Sequence, residues 1–220
     1  MIKQTKNYLE HKLTYTDTGK LLDEYGRAVM MDWERKWMEE SAKVICQYGG
    51  DILNVGFGMG IIDTFIESHN IKSHTIIEAH PDVYAKMISD GWDKKPNVKI
   101  IFSTWQDVIN DLPKFDGIYF DTWDDTGFFD KLLPNIKNIL KEDGIFSYWE
   151  GISDKFINQR TTDILYNDFE FDKIIVELEN VPESKEQHEK GVGYYYNPEW
   201  KQCVIPIIKH RKTPIQKNLI

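Results

Sequence analysis

From residue 50 onward, short runs rich in Ile, Val, Tyr and Phe alternate with longer segments of helical period. That alternation is the mark of a βαβ chain and a mostly parallel sheet. Strands are predicted near 51–56, 73–78, 98–103, 115–120, 144–149, 171–179 and 202–208, and helices near 60–69, 81–92, 105–112, 127–141 and 154–166. The fold class expected is therefore α/β, a seven-stranded mostly parallel sheet flanked by helices. Local signals agree: Pro81 sits in a first-turn position, and Asp143-Gly144 reads as the turn after helix 127–141.

At 220 residues the chain makes one domain with a modest appendage and has enough interior for a real core. Residues 1–28 are polar and weakly periodic and read as an extension packed over the domain, or a lid. Residues 29–212 are the domain itself, and 213–220 a tail. The charged stretch 183–191 reads as a solvated loop. Lys plus Arg number 27 and Asp plus Glu 36, a formal charge of −9, which argues against a nucleic-acid surface. No apolar run approaches the roughly 18 residues of a membrane span, and the N-terminus lacks the apolar region of a secretory signal. A cytoplasmic monomer or homodimer, without nucleic-acid or membrane partners, is expected. Cys46 and Cys203 stand alone, as small core hydrophobes rather than metal ligands, and no metal is expected.

The first strand of the domain runs into Gly56-Phe57-Gly58-Met59-Gly60 and then a helix, placing a glycine-rich turn where a parallel sheet presents its carboxyl edge. The next strand ends at Glu78, where a carboxylate accepts hydrogen bonds from ribose hydroxyls. A dinucleotide turn wants its last glycine at position 61, which is Ile. The G-x-G-x-G spacing instead suits S-adenosylmethionine, which carries no pyrophosphate, and Trp105 then stands ready to pack on adenine or, equally, to anchor helix 105–112.

Projected as a helix, residues 32–48 put Trp33, Trp37, Met38, Ser41, Ala42, Val44, Ile45 and Tyr48 on one face, with Glu34 in its middle and every other charge outside it. A carboxylate in an apolar stripe is costly unless it meets a cation or donors, although a first-turn acid also suits the helix dipole. Asp121 ends the fourth strand and points into the same crevice as the glycine turn, or caps the segment after it. Glu34 and Asp121 together make an anionic pocket, and two carboxylates match a planar guanidinium.

Val29-Met30-Met31-Asp32-Trp33-Glu34 followed by Trp37-Met38, then 54–59 (NVGFGM), 76–78 (IIE), 104–107 (TWQD) and 115–122 (FDGIYFDT), resemble guanidinoacetate N-methyltransferase. They also resemble the fungal and plant enzyme that methylates the δ nitrogen of protein arginine. The likeness covers about 29–150, and 195–208 (YYNPEWKQCVIPII) looks like the family's final strand. The resemblance implies a Rossmann-like class I methyltransferase fold that holds S-adenosylmethionine through Met30, Met38, Phe57, Gly58, Met59, Gly60, Glu78, Ala79, His80, Trp105 and Gln106. It places the guanidine-binding carboxylates on Glu34 and Asp121, and backbone contacts to the substrate's carboxylate on Gly151 and Ile152.

Two departures bear on the substrate. Glu150 stands where the guanidinoacetate enzyme has Asn, and Trp123-Asp124-Asp125 replaces a Tyr-Pro turn, so the pocket mouth is more acidic than a carboxylate-bearing substrate wants. An amine-tailed guanidine such as agmatine or free arginine is expected, unless Glu150 points away. The expected reaction is transfer of methyl to a guanidino nitrogen of a small molecule, with Asp121 as base and Glu34 orienting the group. The alternatives are a protein arginine δ-N-methyltransferase, whose ankyrin-repeat region has no counterpart in the roughly 28 residues before the motif, a nicotinamide-dependent oxidoreductase, disfavoured by Ile61, and a non-catalytic S-adenosylmethionine-binding protein.

Overall fold

The computed structural model describes residues 7–123, 128–150, 168–178 and 202–212. Strands β1 (Thr14–Thr16), β2 (Lys20–Leu22) and β3 (Ala28–Met31) form a small antiparallel sheet, followed by helix α1 (Arg35–Ile45). The main domain then runs β4 (Asp51–Val55), α2 (Ile61–Ile66), β5 (Ser73–Glu78), α3 (Pro81–Ser89), β6 (Val98–Phe102), α4 (Trp105–Val108), β7 (Phe115–Phe120), α5 (Phe128–Ile139), β8 (Leu140–Tyr148), β9 (Phe169–Glu177) and β10 (Gln202–His210). The strands make the expected seven-stranded sheet, in the order β6-β5-β4-β7-β8-β10-β9. Strands β4 to β8 are parallel, and β10 lies antiparallel between β8 and β9.

Period-2 alternation divides the core between the two faces of the sheet. Ile52, Ile76 and Tyr119 pack with Trp37, Met38 and Ile45 of α1. Leu53, Val55, Ile77, Ile118 and Phe120 pack on the opposite face with Leu133 and Ile136 of α5. The sequence order reverses at β4, which pairs with β5 on one side and β7 on the other. Connections leave β4 in opposite directions there, which opens a crevice at the strands' carboxyl ends.

Leu13 and Leu21 of the N-terminal segment are buried in the same core as Met30 and α1, and Leu13 donates its N–H to Asp82 at 2.9 Å. Several local expectations are corrected. The helix read over 32–48 begins as a 3₁₀ turn, Asp32–Glu34, and is α-helical only over Arg35–Ile45. Tyr48, read on its buried face, lies beyond that end and is 62% exposed. The turn read at Asp143-Gly144 is strand: β8 starts directly after α5, and its pairing jumps from Phe115↔Leu140 to Gly117↔Ile145, so a β-irregularity absorbs the extra residues. The helix read at 154–166, the loop 183–191 and the tail 213–220 lie outside the described residues. Among the described residues no helix is long and apolar enough to cross a membrane.

Candidate active site

Strand β4 delivers the chain into a turn in which Gly56, Gly58 and Gly60 have φ of 92°, 55° and 69°, the left-handed region that β-carbons disfavour. At Gly56 the need is absolute, since an added Cβ would fall inside the carbonyl oxygen of Asp121. The turn is held from the neighbouring strand. The buried Glu78 carboxylate accepts the Phe57 N–H at 2.9 Å and the His80 N–H at 2.6 Å. Burial pushes the Glu78 pKa up, and the backbone donors of His80, Phe57, Ala79 and Gly58 oppose that. The acid expected to meet a ribose thus also organises the turn. From above, the Tyr15 hydroxyl donates to the Gly58 carbonyl at 2.9 Å, and the Met59 N–H stands 3.2 Å from Met30 Sδ.

A cavity of about 360 Å³ opens at this crevice. Of the residues expected around the cofactor, Met30, Gly56, Gly58, Glu78, Ala79, Trp105 and Gln106 line it, and so does Asp121. Phe57, Met38 and His80 are buried behind the wall, and Met59 and Gly60 are not among the lining residues. Trp105 meets Phe120 edge to face at 5.6 Å, so its ring is anchored as well as exposed to the cavity. Sequence reasoning put Trp123 at the pocket mouth but did not single out the other residues of the roof. Asn7, Tyr8 and Leu9 line the cavity from the extension, and Thr122 and Trp123 line it from beyond β7. Tyr8 packs 5.0 Å from both His80 and Trp123. Burial and the Glu78 charge push its phenol above the usual range. Trp123 donates to the Ala28 carbonyl at 3.0 Å and carries the Arg27 guanidinium 4.4 Å above its ring. Nothing in the N-terminal sequence signals these contacts, which join segments more than 90 residues apart.

The carboxylates stand at the inner end. Asp121 follows β7 directly, and its N–H donates to the Val55 carbonyl at 2.9 Å. Burial, aided by the charge of Asp63, pushes its pKa up to about 7. Glu34 sits on the 3₁₀ turn before α1 and is buried. It accepts the Met31 N–H at 2.8 Å and the Trp149 Nε1–H at 3.1 Å, the indole itself stacking on Trp37. Burial, then the charge of Asp121, pushes the Glu34 pKa up to about 8. Glu34 does not line the cavity but is electrostatically coupled to Asp121, which does. Glu150 is also buried, and among the described residues its two oxygens have no hydrogen-bond partner. Burial pushes its pKa up to about 7, against the Tyr148 hydroxyl. Gly151 and Ile152 lie outside the described residues.

No Lys or Arg lines the cavity among the described residues. Its end therefore holds more negative charge than it can neutralise, an arrangement that favours a cation. The same shifts carry a stability consequence. A carboxyl whose folded pKa is raised, such as Glu34, stabilises the fold fully below its unfolded pKa, and that contribution is lost as pH rises toward about 8. The ligand-free protein is expected to lose unfolding free energy from pH 5 to pH 8.5 in urea titrations, with a shallower fall in Glu34→Gln. Parallel pH curves for the two proteins would contradict this.

The family model described as guanidinoacetate N-methyltransferase matches residues 3–189. The chain belongs to this family. Among its curated relatives, protein arginine N-methyltransferase 2 of Saccharomyces cerevisiae is 42% identical over 157 residues, covering 66% of this chain and 38% of that protein. The protein of the same name from Kluyveromyces lactis is 35% identical over 212 residues, 87% of this chain and 52% of that one. The chain thus spans between a third and about half of the relatives it matches. Among solved structures, TYW2 of M. jannaschii in complex with AdoMet superposes with a TM-score of 0.58 at 17% identity, covering 91% of this chain and 86% of that one. Spermidine synthase in complex with the transition-state analogue AdoDATO gives 0.62 at 15% identity, covering 91% and 69%. These likenesses establish the Rossmann-like fold of the class I methyltransferases.

The family's cofactor is S-adenosylmethionine, and the residues present fit it. Gly56 and Gly58 of the glycine turn line the cavity with backbone alone, Glu78 faces the same space, and Trp105 and Ile77 offer apolar surface beside it.

Proposed function

We propose that the protein transfers the methyl group of S-adenosylmethionine to a nitrogen of a guanidino group, on a small molecule such as arginine, agmatine or guanidinoacetate. The observation that carries this reading is Asp121, a carboxylate open to the cofactor cavity and coupled to the buried Glu34, with no Lys or Arg among the described lining residues to neutralise either. When bound, S-adenosylmethionine supplies an electrophilic methyl on a sulfonium. This chain's residues do the rest. In the empty site Asp121 and Glu34 repel each other and are driven toward protonation, whereas an arriving guanidinium lets both ionise and is held between them. As the N–C bond forms and the C–S bond breaks, one guanidinium proton passes to Asp121, because the attacking nitrogen has no free lone pair until it does. Glu34, fixed by Met31 and Trp149, balances the charge that remains.

An amine-tailed substrate is favoured by one further carboxyl, Glu150, which is buried next in sequence to the Trp149 that holds Glu34. It does not line the cavity, and turned toward it would suit a second cation better than the carboxylate of guanidinoacetate. Labelled S-adenosylmethionine incubated with guanidinoacetate, arginine, agmatine and guanidine is expected to give its highest kcat/KM on arginine or agmatine, and Glu150→Gln is expected to narrow the gap to guanidinoacetate. A wild-type preference for guanidinoacetate over both amines would remove the electrostatic part of the reading. The second reading, arginine within a protein, is favoured by the name of the relatives at 35–42% identity, and an arginine-rich protein in the same panel distinguishes it.

A further inference from the structure

Behind the glycine turn, outside the cavity, lies a buried ionic cluster. Asp63 of α2 is fully buried. Its Oδ1 accepts from Asn54 Nδ2 at 2.8 Å and stands 3.2 Å from His74 Nε2, while Oδ2 has no hydrogen-bond partner among the described residues. Asn54 Nδ2 donates also to the Gly56 carbonyl at 2.9 Å. The other nitrogen of His74 is 3.1 Å from Glu67, which Asn97 and, at 3.9 Å, Lys95 complete from the surface side. Burial disfavours a charged His74, but the carboxylates on either side prevail and raise its pKa. The Cys46 thiol, which also feels Glu67, is pushed up to about 12 and stays neutral.

Such a cluster is an expensive way to fill a core, since well-packed apolar residues do so at no loss and often with a gain. Its placement points to a role. Asn54 pairs with Tyr119 in register, so Asn54, Tyr119 and, two residues on, Asp121 belong to one side of the sheet, the side on which α2 carries Asp63. Gly56, whose carbonyl Asn54 holds, is packed directly on the Asp121 backbone.

We propose that Asp63 is a positioning residue for Asp121: its carboxylate, held between His74 and Asn54, sets an acidic group behind Asp121 and braces, through Asn54 and the Gly56 carbonyl, the turn against which Asp121 is set. The inference rests on Asp121 being the base. A guanidinium is a far weaker acid than a carboxylic acid, so a greater proton affinity at Asp121 speeds the transfer. The other titratable groups facing Asp121 are Glu34 and the phenols of Tyr8 and Tyr119, and none of these is altered by a change at position 63.

The test is Asp63→Asn, which removes the charge and keeps an acceptor for Asn54. In the ligand-free protein the ¹³C-carboxyl titration of Asp121, assigned with Asp121→Asn, is expected to fall by about one pH unit. If Asp63→Asn does not fold, Asp63→Ser, which also removes the carboxylate and still offers Asn54 an acceptor, is expected to give the same fall. With a methylated guanidine in hand, the acid limb of the pH profile moves down equally and kcat drops severalfold, while KM for S-adenosylmethionine holds. A raised KM with an unmoved limb marks a merely structural role and overturns the proposal, as does an unchanged or raised Asp121 midpoint. A lowered midpoint in a protein that methylates no guanidine upholds the coupling and rejects the reaction assignment.

Discussion

Asp121→Asn is expected to lower kcat by at least about 10²-fold, the lower end of what a positioned general base contributes, and to leave affinity for S-adenosylhomocysteine nearly intact. The side chain lines the cavity beside the cofactor residues, but its backbone is what packs on the glycine turn. Asn keeps that backbone and the side-chain shape and removes only the acceptor. The pH dependence separates this from loss of fold. In the wild type kcat/KM is expected to fall as pH drops through about 7, where Asp121 takes up a proton, whereas the residual rate of the variant loses that limb and keeps only what Glu34 contributes. Near-normal turnover, or a wild-type acid limb unchanged in Asp121→Asn, would move the base elsewhere. Calorimetric titration with S-adenosylhomocysteine reads the binding half.

The second large effect is expected at Gly56→Ala. Two costs add: a β-carbon at φ 92°, and its collision with the Asp121 carbonyl, a backbone atom that no rotamer change removes. The first alone is about 1–2 kcal/mol, and the second obliges β4 and β7 to part where cofactor and base both sit. Loss of measurable S-adenosylhomocysteine binding, together with destabilisation of at least about 2 kcal/mol in urea, is expected. Gly91→Ala separates the two costs. Gly91 has a similar φ of 79°, but its nearest neighbour would be Lys94 Cδ at 3.9 Å, so it is expected to show strain alone and unchanged binding. Equal cofactor affinity in the two variants would show that the Gly56 contact does not shape the site.

Legibility in the sequence tracks the physics of each element. Short apolar strand runs alternating with amphipathic helical segments leave strong signals, clearest in the buried central strands β4, β5, β7 and β8, and all seven strands lie within a few residues of where the pattern puts them. Glu34 and Asp121 are legible because each breaks a local pattern, one as a charge in an apolar stripe and the other as a polar terminus to the FDGIYF strand. The roof is legible only at Trp123. Its contact with Tyr8 joins segments with no shared period, so the sequence carries no local signal of it. The strand start at Leu140 is hidden because a β-irregularity lets a helix pass into a strand without the turn that Asp143-Gly144 suggests. The buried Asp63–His74 pair is invisible for another reason: its members are 11 residues apart on a helix and a strand, and only their close approach makes either of them unusual.

The most direct test of guanidino N-methylation is to supply S-adenosylmethionine carrying a ¹³C-methyl group together with arginine, agmatine and guanidinoacetate labelled with ¹⁵N in the guanidino group, and to read the product by NMR. A one-bond ¹³C–¹⁵N coupling in one of these products, absent with Asp121→Asn, is the result predicted. Methylated product without that coupling, or no transfer to any guanidine by a protein that binds S-adenosylhomocysteine, would contradict it.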